Sequence, residues 1–300
     1  MNAKVRIGIN PISWSNDDMP QLGAETSLKT ILTEGAQIGY EGFELGRKFP
    51  RDPQVLKDTL AAHRVACVSG WFSGLLATGE LETEKQRAHE HMHMLAFNGS
   101  KVVVYGEVAD GIQGQMDTAL QHRPMFAEVS DWQAYGERLT KFGEHLKSEY
   151  GITLAYHHHM GAYAQSVSDI DQLMAHTGES VGLLFDSGHA YFGGSDPLAL
   201  LKKHIARVVH VHCKDVRARV IQRANNEQWS FLQSALNGAF TVPGDGDLDF
   251  TAIWSELKAA DYQGWLVVEA EQDPALAPSY EYAAKGFKHI YDLVHGGSMN

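Results

Sequence analysis

Four stretches of the chain end an apolar run in an imidazole or a carboxylate: Ala155-Tyr156-His157-His158-His159, Leu184-Phe185-Asp186-Ser187-Gly188-His189, His210-Val211-His212-Cys213-Lys214-Asp215 and Val267-Val268-Glu269-Ala270-Glu271. Two imidazoles and two carboxylates brought to one point make a mixed nitrogen and oxygen site. Such a site suits Mn²⁺, Co²⁺, Zn²⁺ or Fe²⁺ better than Mg²⁺ or Ca²⁺, which prefer oxygen alone. The spacing therefore predicts a divalent metal on His157, Asp186, His212 and Glu269. Alternation along a strand puts His157 and His159 on one face, and Glu269 and Glu271 on one face, so either member of each pair could be the ligand.

Any one of these groups alone is more ordinarily a solvated strand-end residue or a cap; four successive strands ending this way are not. Proton transfer beside such a metal falls to His, Glu or Lys, and the candidates are His189, His159, Lys214 and Glu44. His189 is preferred, because it follows Asp186 by one turn and can fold back toward the site. Trp14, Trp71 and Glu107, at or just past the ends of early strands, are expected to contact substrate, as are Arg217 and Glu271. Asp215 is expected to face away and to pair with Arg217. His89-Glu90-His91-Met92-His93 matches the zinc-protease pattern H-E-x-x-H, but it falls on a helix expected outside the fold and no third-ligand motif follows it, so it reads as a solvated face.

What would position these residues is a repeated strand and helix unit. Eight runs rich in β-branched residues occur at 5–10, 42–45, 65–71, 101–105, 152–157, 181–186, 208–212 and 265–269, with helix-like periodicity between them, as in Leu139, Phe142 and Leu146. Several are apolar on both faces, as parallel strands covered by helices must be. The prediction is a single (β/α)₈ TIM barrel over residues 1–300, with the site at the C-terminal ends of its strands. The segment at about 216–249 is too long for an ordinary connection and is expected to lie over the barrel mouth.

The chain has 300 residues, 44% of them hydrophobic, and a formal charge of −12. That charge repels phosphate backbones and anionic lipid, which argues against nucleic-acid or membrane partners and for a small neutral substrate. The N-terminus shows no signal-peptide pattern. Cys67 and Cys213 fall in separate apolar runs and read as buried free thiols, so a cytoplasmic location is expected. Homo-oligomer formation is left open by the sequence.

Asn10-Pro11-Ile12-Ser13-Trp14-Ser15-Asn16-Asp17-Asp18-Met19-Pro20, Phe43-Glu44-Leu45-Gly46, Tyr156-His157-His158-His159-Met160-Gly161, Phe185-Asp186-Ser187-Gly188-His189, His210-Val211-His212-Cys213-Lys214-Asp215-Val216-Arg217, Phe240-Thr241-Val242-Pro243-Gly244-Asp245-Gly246 and Val268-Glu269-Ala270-Glu271-Gln272-Asp273-Pro274 together resemble the xylose-isomerase-like barrel superfamily, and within it the inosose dehydratases of myo-inositol catabolism. The resemblance implies metal-dependent dehydration of scyllo-inosose to a trihydroxycyclohexane-1,2-dione, with Mn²⁺ or Co²⁺ and a glutathione requirement. The sugar epimerases of the superfamily end their fifth strand in a glutamate; here His157 stands in that place, which argues against the rival isomerase or epimerase chemistry. Ala162, Ser187 and Ser13 are smaller departures from the dehydratase pattern. An abasic-site endonuclease on the same barrel would want a basic face, and a non-catalytic sugar-binding barrel would not need four ligands.

Overall fold

The computed structural model describes residues 5–297. Strands β1 (Val5–Ile9), β2 (Gly42–Leu45), β3 (Ala66–Gly74), β4 (Val102–Glu107), β5 (Thr153–His157), β6 (Val181–Asp186) and β7 (Val208–Cys213) run in sequence; β8 (Asp215–Val216) and β9 (Phe240–Thr241) form a separate antiparallel pair; β10 (Gly264–Val268) follows. β1 to β7 and β10 close into an eight-stranded parallel barrel in the order β1-β10-β7-β6-β5-β4-β3-β2. Helices cover its outside.

The strands turn apolar side chains toward the covering helices. In β5, Leu154 and Tyr156 pack outward, while Ala155 meets Val104 and Leu184 in a small inner cluster. That cluster fills the lower barrel and leaves the next inward position, His157, above it. Helices enter on side-chain caps: Ser27 before Leu28–Ile38, Asp52 before Pro53–Ala62, Ser166 before Val167–His176. Gly39 and Gly151 end their helices at φ 117° and 67°, conformations that let the chain reverse into the next strand.

Strand ends differ from the sequence reading by a few residues. β3 runs on to Gly74 because it keeps pairing with β4 through Gly74 and Glu107. β10 stops at Val268, although the Glu269 amide still donates to the Cys213 carbonyl at 3.4 Å. Register shifts between Phe43 and Glu44 and between Leu183 and Leu184 matter more. They are bulge-like irregularities that re-aim the residues after them, and they leave Asp186 directly beside His212.

The segment from 216 to 249 is not one loop. It carries helices at Ala218–Glu227 and Phe231–Leu236 and the β8–β9 pair. Its own apolar cluster, including Phe231, Phe240 and Ile221, joins Met19 and Met160 from other βα connections. The expectation that Asp215 pairs with Arg217 is corrected. The Asp215 carboxylate accepts from the amides of Val216, Gly244, Gly246 and Leu248, while Arg217 pairs with Asp245 at 2.7 Å.

The H-E-x-x-H stretch lies on the outer helix Leu81–Phe97 with His89 and His93 exposed. His91 turns inward against Phe72, ring centroids 6.3 Å apart, and burial followed by the nearby Arg51 charge lowers it to about 4. The unfolded chain takes up this proton near 6.5, so stability is full above that pH and is lost as pH falls toward 4, by about 3 kcal/mol at the limit. Denaturant titrations at pH 7 and pH 4.5 should show His91→Phe losing roughly 2–3 kcal/mol less than wild type between the two. Equal losses would place the acid sensitivity elsewhere.

Candidate active site

At the C-terminal end of the barrel, His157 from β5, Asp186 from β6, His212 from β7 and Glu269 just past β10 each direct one ligand atom to a common point, all four atoms within 4.8 Å of one another. Every one of these side chains is buried. Asp186 Oδ2, His212 Nδ1 and Glu269 Oε2 have no hydrogen-bond partner. His212 Nδ1 and Glu269 Oε2 stand 2.6 Å apart without the angle of a hydrogen bond. Buried polar atoms are almost always satisfied, and three that are not, converging on one point, fit a cation.

The surrounding bonds fix which nitrogen faces that point. His157 gives its Nδ1 proton to the His158 carbonyl at 2.6 Å, which leaves Nε2 bare and 3.6 Å from Asp186 Oδ2. His212 Nε2 lies 3.1 Å from Glu44 Oε1, the carboxylate partner that ligand histidines usually have. Glu44 was expected among the acid and base candidates. Its carboxylate is instead tied to His210, His212, Ser69 and Asn10. Burial alone would raise it; the His212 charge and the histidine hydrogen bonds outweigh burial and hold it well below the carboxylate range. Without an ion, His212 is pushed the other way: burial opposes its charge, but Glu269 and Glu44 raise it well above the usual histidine range. Binding an ion would displace that proton.

Lys214 is fully buried beneath the site, its Nζ 3.2 Å from Asp186 Oδ2, 3.1 Å from Glu269 Oε2 and 2.8 Å from Glu271 Oε1. Gly188 makes room for its stem, since a Cβ there would stand 2.6 Å from Lys214 Cγ. Burial opposes the ammonium, but Asp186, Glu269 and Glu271 together raise it further. His159, His189 and Glu271 form a second close group. His189 is completely buried behind His159, ring centroids 4.0 Å apart, and does not reach the cavity wall; its Nδ1 accepts from the Met160 amide. His159 does line the cavity, with its Nδ1 proton on the Met160 carbonyl at 2.8 Å.

The cavity above these groups is bounded by Trp71, Glu271, Gln113, Arg51, Asn10 and the acidic pair Asp17 and Asp18, and offers about 170 Å³. Sites for drug-sized ligands run to roughly 300–1,000 Å³, so this one takes a single small ring. Trp71 stands 38% exposed at its edge, its ring set against His157 and His159. Phe231 from the long segment packs on His159 and His189.

Three expected substrate contacts are not on the wall. Trp14 is buried in the core and donates to Glu34 at 2.6 Å. Glu107 faces outward with Tyr105, accepting from Tyr105, Tyr135 and the amides of Ala77 and Ala109. Arg217 serves the β8–β9 pair and its turn. The sequence reading missed Asn10, Asp17, Asp18, Arg51 and Gln113 as wall residues; the acidic doublet Asp17-Asp18 in the connection after β1 was the available signal.

A mixed His and carboxylate site at the mouth of a (β/α)₈ barrel defines a class, and the chain belongs to the xylose isomerase-like TIM barrel family, whose pattern it matches over residues 32–293. It is 45% identical to the inosose dehydratase of Clostridium perfringens over 98% of this chain and 99% of that one. It is 44% identical to the rhizopine catabolism protein MocC of Rhizobium meliloti over 95% of this chain and 87% of that protein. The crystal structure of the IOLI protein with a bound zinc atom superimposes with a TM-score of 0.69 at 17% identity, covering 98% of this chain and 100% of that chain. Among the described residues no helix is long and apolar enough to cross a membrane.

Proposed function

We propose that this protein is a metal-dependent hydro-lyase that removes water from scyllo-inosose to give a trihydroxycyclohexane-1,2-dione. The observation that carries the reading is the set of orphaned ligand atoms beneath a one-ring cavity, in a chain 45% identical over nearly its full length to a protein named inosose dehydratase. His157, Asp186, His212 and Glu269 would hold the cation, and their mixed donors suit Mn²⁺ or Co²⁺, with Zn²⁺ or Fe²⁺ also able to bind. When bound, the ion supplies Lewis-acid polarisation of a carbonyl, which acidifies the neighbouring C–H.

The chain's own groups divide the remaining work. His159 presents a bare Nε2 to the cavity, because its Nδ1 proton is held by the Met160 carbonyl, and it accepts the α-proton. His189 fixes His159 from behind and is a positioning residue. Lys214 anchors Glu271, whose free Oε2 accepts from a substrate hydroxyl. Trp71 covers the apolar face of the ring. The resemblance adds a glutathione requirement, so the assay includes the tripeptide.

Metal-stripped protein should leave scyllo-inosose unchanged; with Mn²⁺ or Co²⁺ and glutathione it should remove the mass of one water and generate a dione chromophore. A product of unchanged mass and altered stereochemistry would replace the dehydratase with an isomerase or epimerase.

A further inference from the structure

Loss of hydroxide from a carbon is slow unless the oxygen is protonated as it leaves, so a dehydratase needs an acid on the cavity wall as well as a base. The wall groups that could serve are few. Glu44 is occupied by four donors and Glu269 belongs to the ligand group. Glu271 accepts from Lys214 at 2.8 Å and belongs to the close group with His159 and His189. Asp17 accepts the Arg47 amide with both oxygens, at 3.2 and 3.0 Å. Arg51 does not give up a proton. A neutral imidazole whose other nitrogen is already engaged cannot release a proton without becoming an anion, which removes His189 in addition to its burial.

Asp18 remains. Asn16 Oδ1 receives both the Asp18 and Met19 amides at 2.8 Å, and Met19 is buried in the apolar cluster of the long segment. These contacts fix the turn and set the Asp18 side chain on the cavity wall, where no hydrogen bond engages its carboxyl among the described residues. Asp18 lies in the connection that follows β1 and His159 just past the end of β5, two strands on opposite sides of the eight-stranded barrel, and both residues line the cavity. A base and an acid on opposite walls suit departure of a proton and a hydroxyl from opposite faces of a ring.

From this placement we propose that Asp18 is the general acid that protonates the departing hydroxyl; the proposal rests on the dehydratase reading above. His159 takes the proton from the carbon next to the ketone. The C–H electron pair becomes the new carbon–carbon double bond, and the β C–O bond breaks with its pair on oxygen. The Asp18 proton completes water, and the enol formed ketonises to the dione. Asp18 ends as carboxylate and His159 as imidazolium, and solvent returns the proton between turnovers. The Asp18 residue as a whole is exposed at the mouth, yet burial of its carboxyl against the wall, followed by the Glu271, Asp17 and Glu269 charges and opposed by Lys214, pushes it up to about 6. A carboxyl so placed carries a proton in a useful fraction of molecules near neutral pH.

The test compares wild type with Asp18→Asn, both loaded with Mn²⁺, in D₂O. Dehydration of inosose by the variant should fall by about 10²–10⁴-fold, while exchange of the α-hydrogen for deuterium, which needs only the base, persists. An inosose bearing fluorine in place of the departing hydroxyl needs no acid, so fluoride release should stay near the wild-type rate. Dehydration at the wild-type rate overturns the proposal, and so does parallel loss of exchange and fluoride release, which would make Asp18 a positioning residue. Failure of the wild type to release water sinks the dehydratase reading itself, and this role with it.

Discussion

Glu269→Gln should purify with no bound divalent metal at concentrations that saturate the wild type, and its turnover of inosose should fall by at least about a thousandfold. A Lewis acid supplies several kcal/mol of charge stabilisation, and each 1.36 kcal/mol is a factor of ten in rate. The substitution keeps the side chain's shape and changes only the charge and one atom. Glu269 Oε2 is the oxygen that lies among the ligand atoms without a hydrogen bond, and in the glutamine that position becomes a neutral oxygen or an amide that cannot ligate. The neighbouring Glu271 stands two residues on and belongs to the other close group, with His159 and His189. Glu271→Gln should therefore keep its metal, and metal content measured by mass spectrometry separates the two glutamates. A Glu269→Gln protein that retains a full equivalent of metal would move the ligand role to Glu271 and redraw the site.

That distinction marks where the sequence stopped being legible. The barrel could be read because every strand is covered on both faces and therefore stands out as an apolar run. The four clustered positions, His157, Asp186, His212 and Glu269, could be singled out because they still follow strand alternation: in β5, Ala155 and His157 share the inward face, and in β7 His210 and His212 do. Glu107 could have been excluded by the same rule, since Tyr105 two residues earlier packs outward against Phe142. Past the strand ends alternation fails. Trp14 caps the short turn Pro11–Ser13 and lies in the core, while Asp18, four residues on, is set on the cavity wall by the next turn. Nothing in residue type separates the two; the Asn16 bonds that decide it are local geometry. Arg217 was misplaced because the Asp215 carboxylate had four backbone amides to satisfy and left the guanidinium to Asp245. The preferred base, His189, lies one turn past Asp186 as expected, but that turn begins the short helix Ser187–Phe192, which carries the ring behind His159.

Lys214→Met should destabilise the metal-free protein by about 3–5 kcal/mol, the usual result of removing one partner from a buried ionic group. The ammonium is wholly buried and lies within 3.2 Å of oxygens from Asp186, Glu269 and Glu271. Methionine matches the stem and leaves three buried carboxylates with only the His212 imidazolium beside two of them, 2.6 Å from Glu269 and 3.5 Å from Asp186. Two responses separate a charge role from a packing role. Divalent metal should raise the melting temperature of the variant more than that of the wild type, because an ion bound only by the folded state stabilises it and here also supplies the missing charge. Acid should narrow the gap between the two proteins, since protonating the carboxylates relieves the repulsion that the lysine otherwise holds down. Even with metal restored, turnover should stay depressed, because Glu271 loses its 2.8 Å anchor and no longer holds the ring against His159. Equal stability of the two proteins, with and without metal, would mean that the carboxylates share protons instead of charges, and the account of Lys214 as their counter-ion would fail.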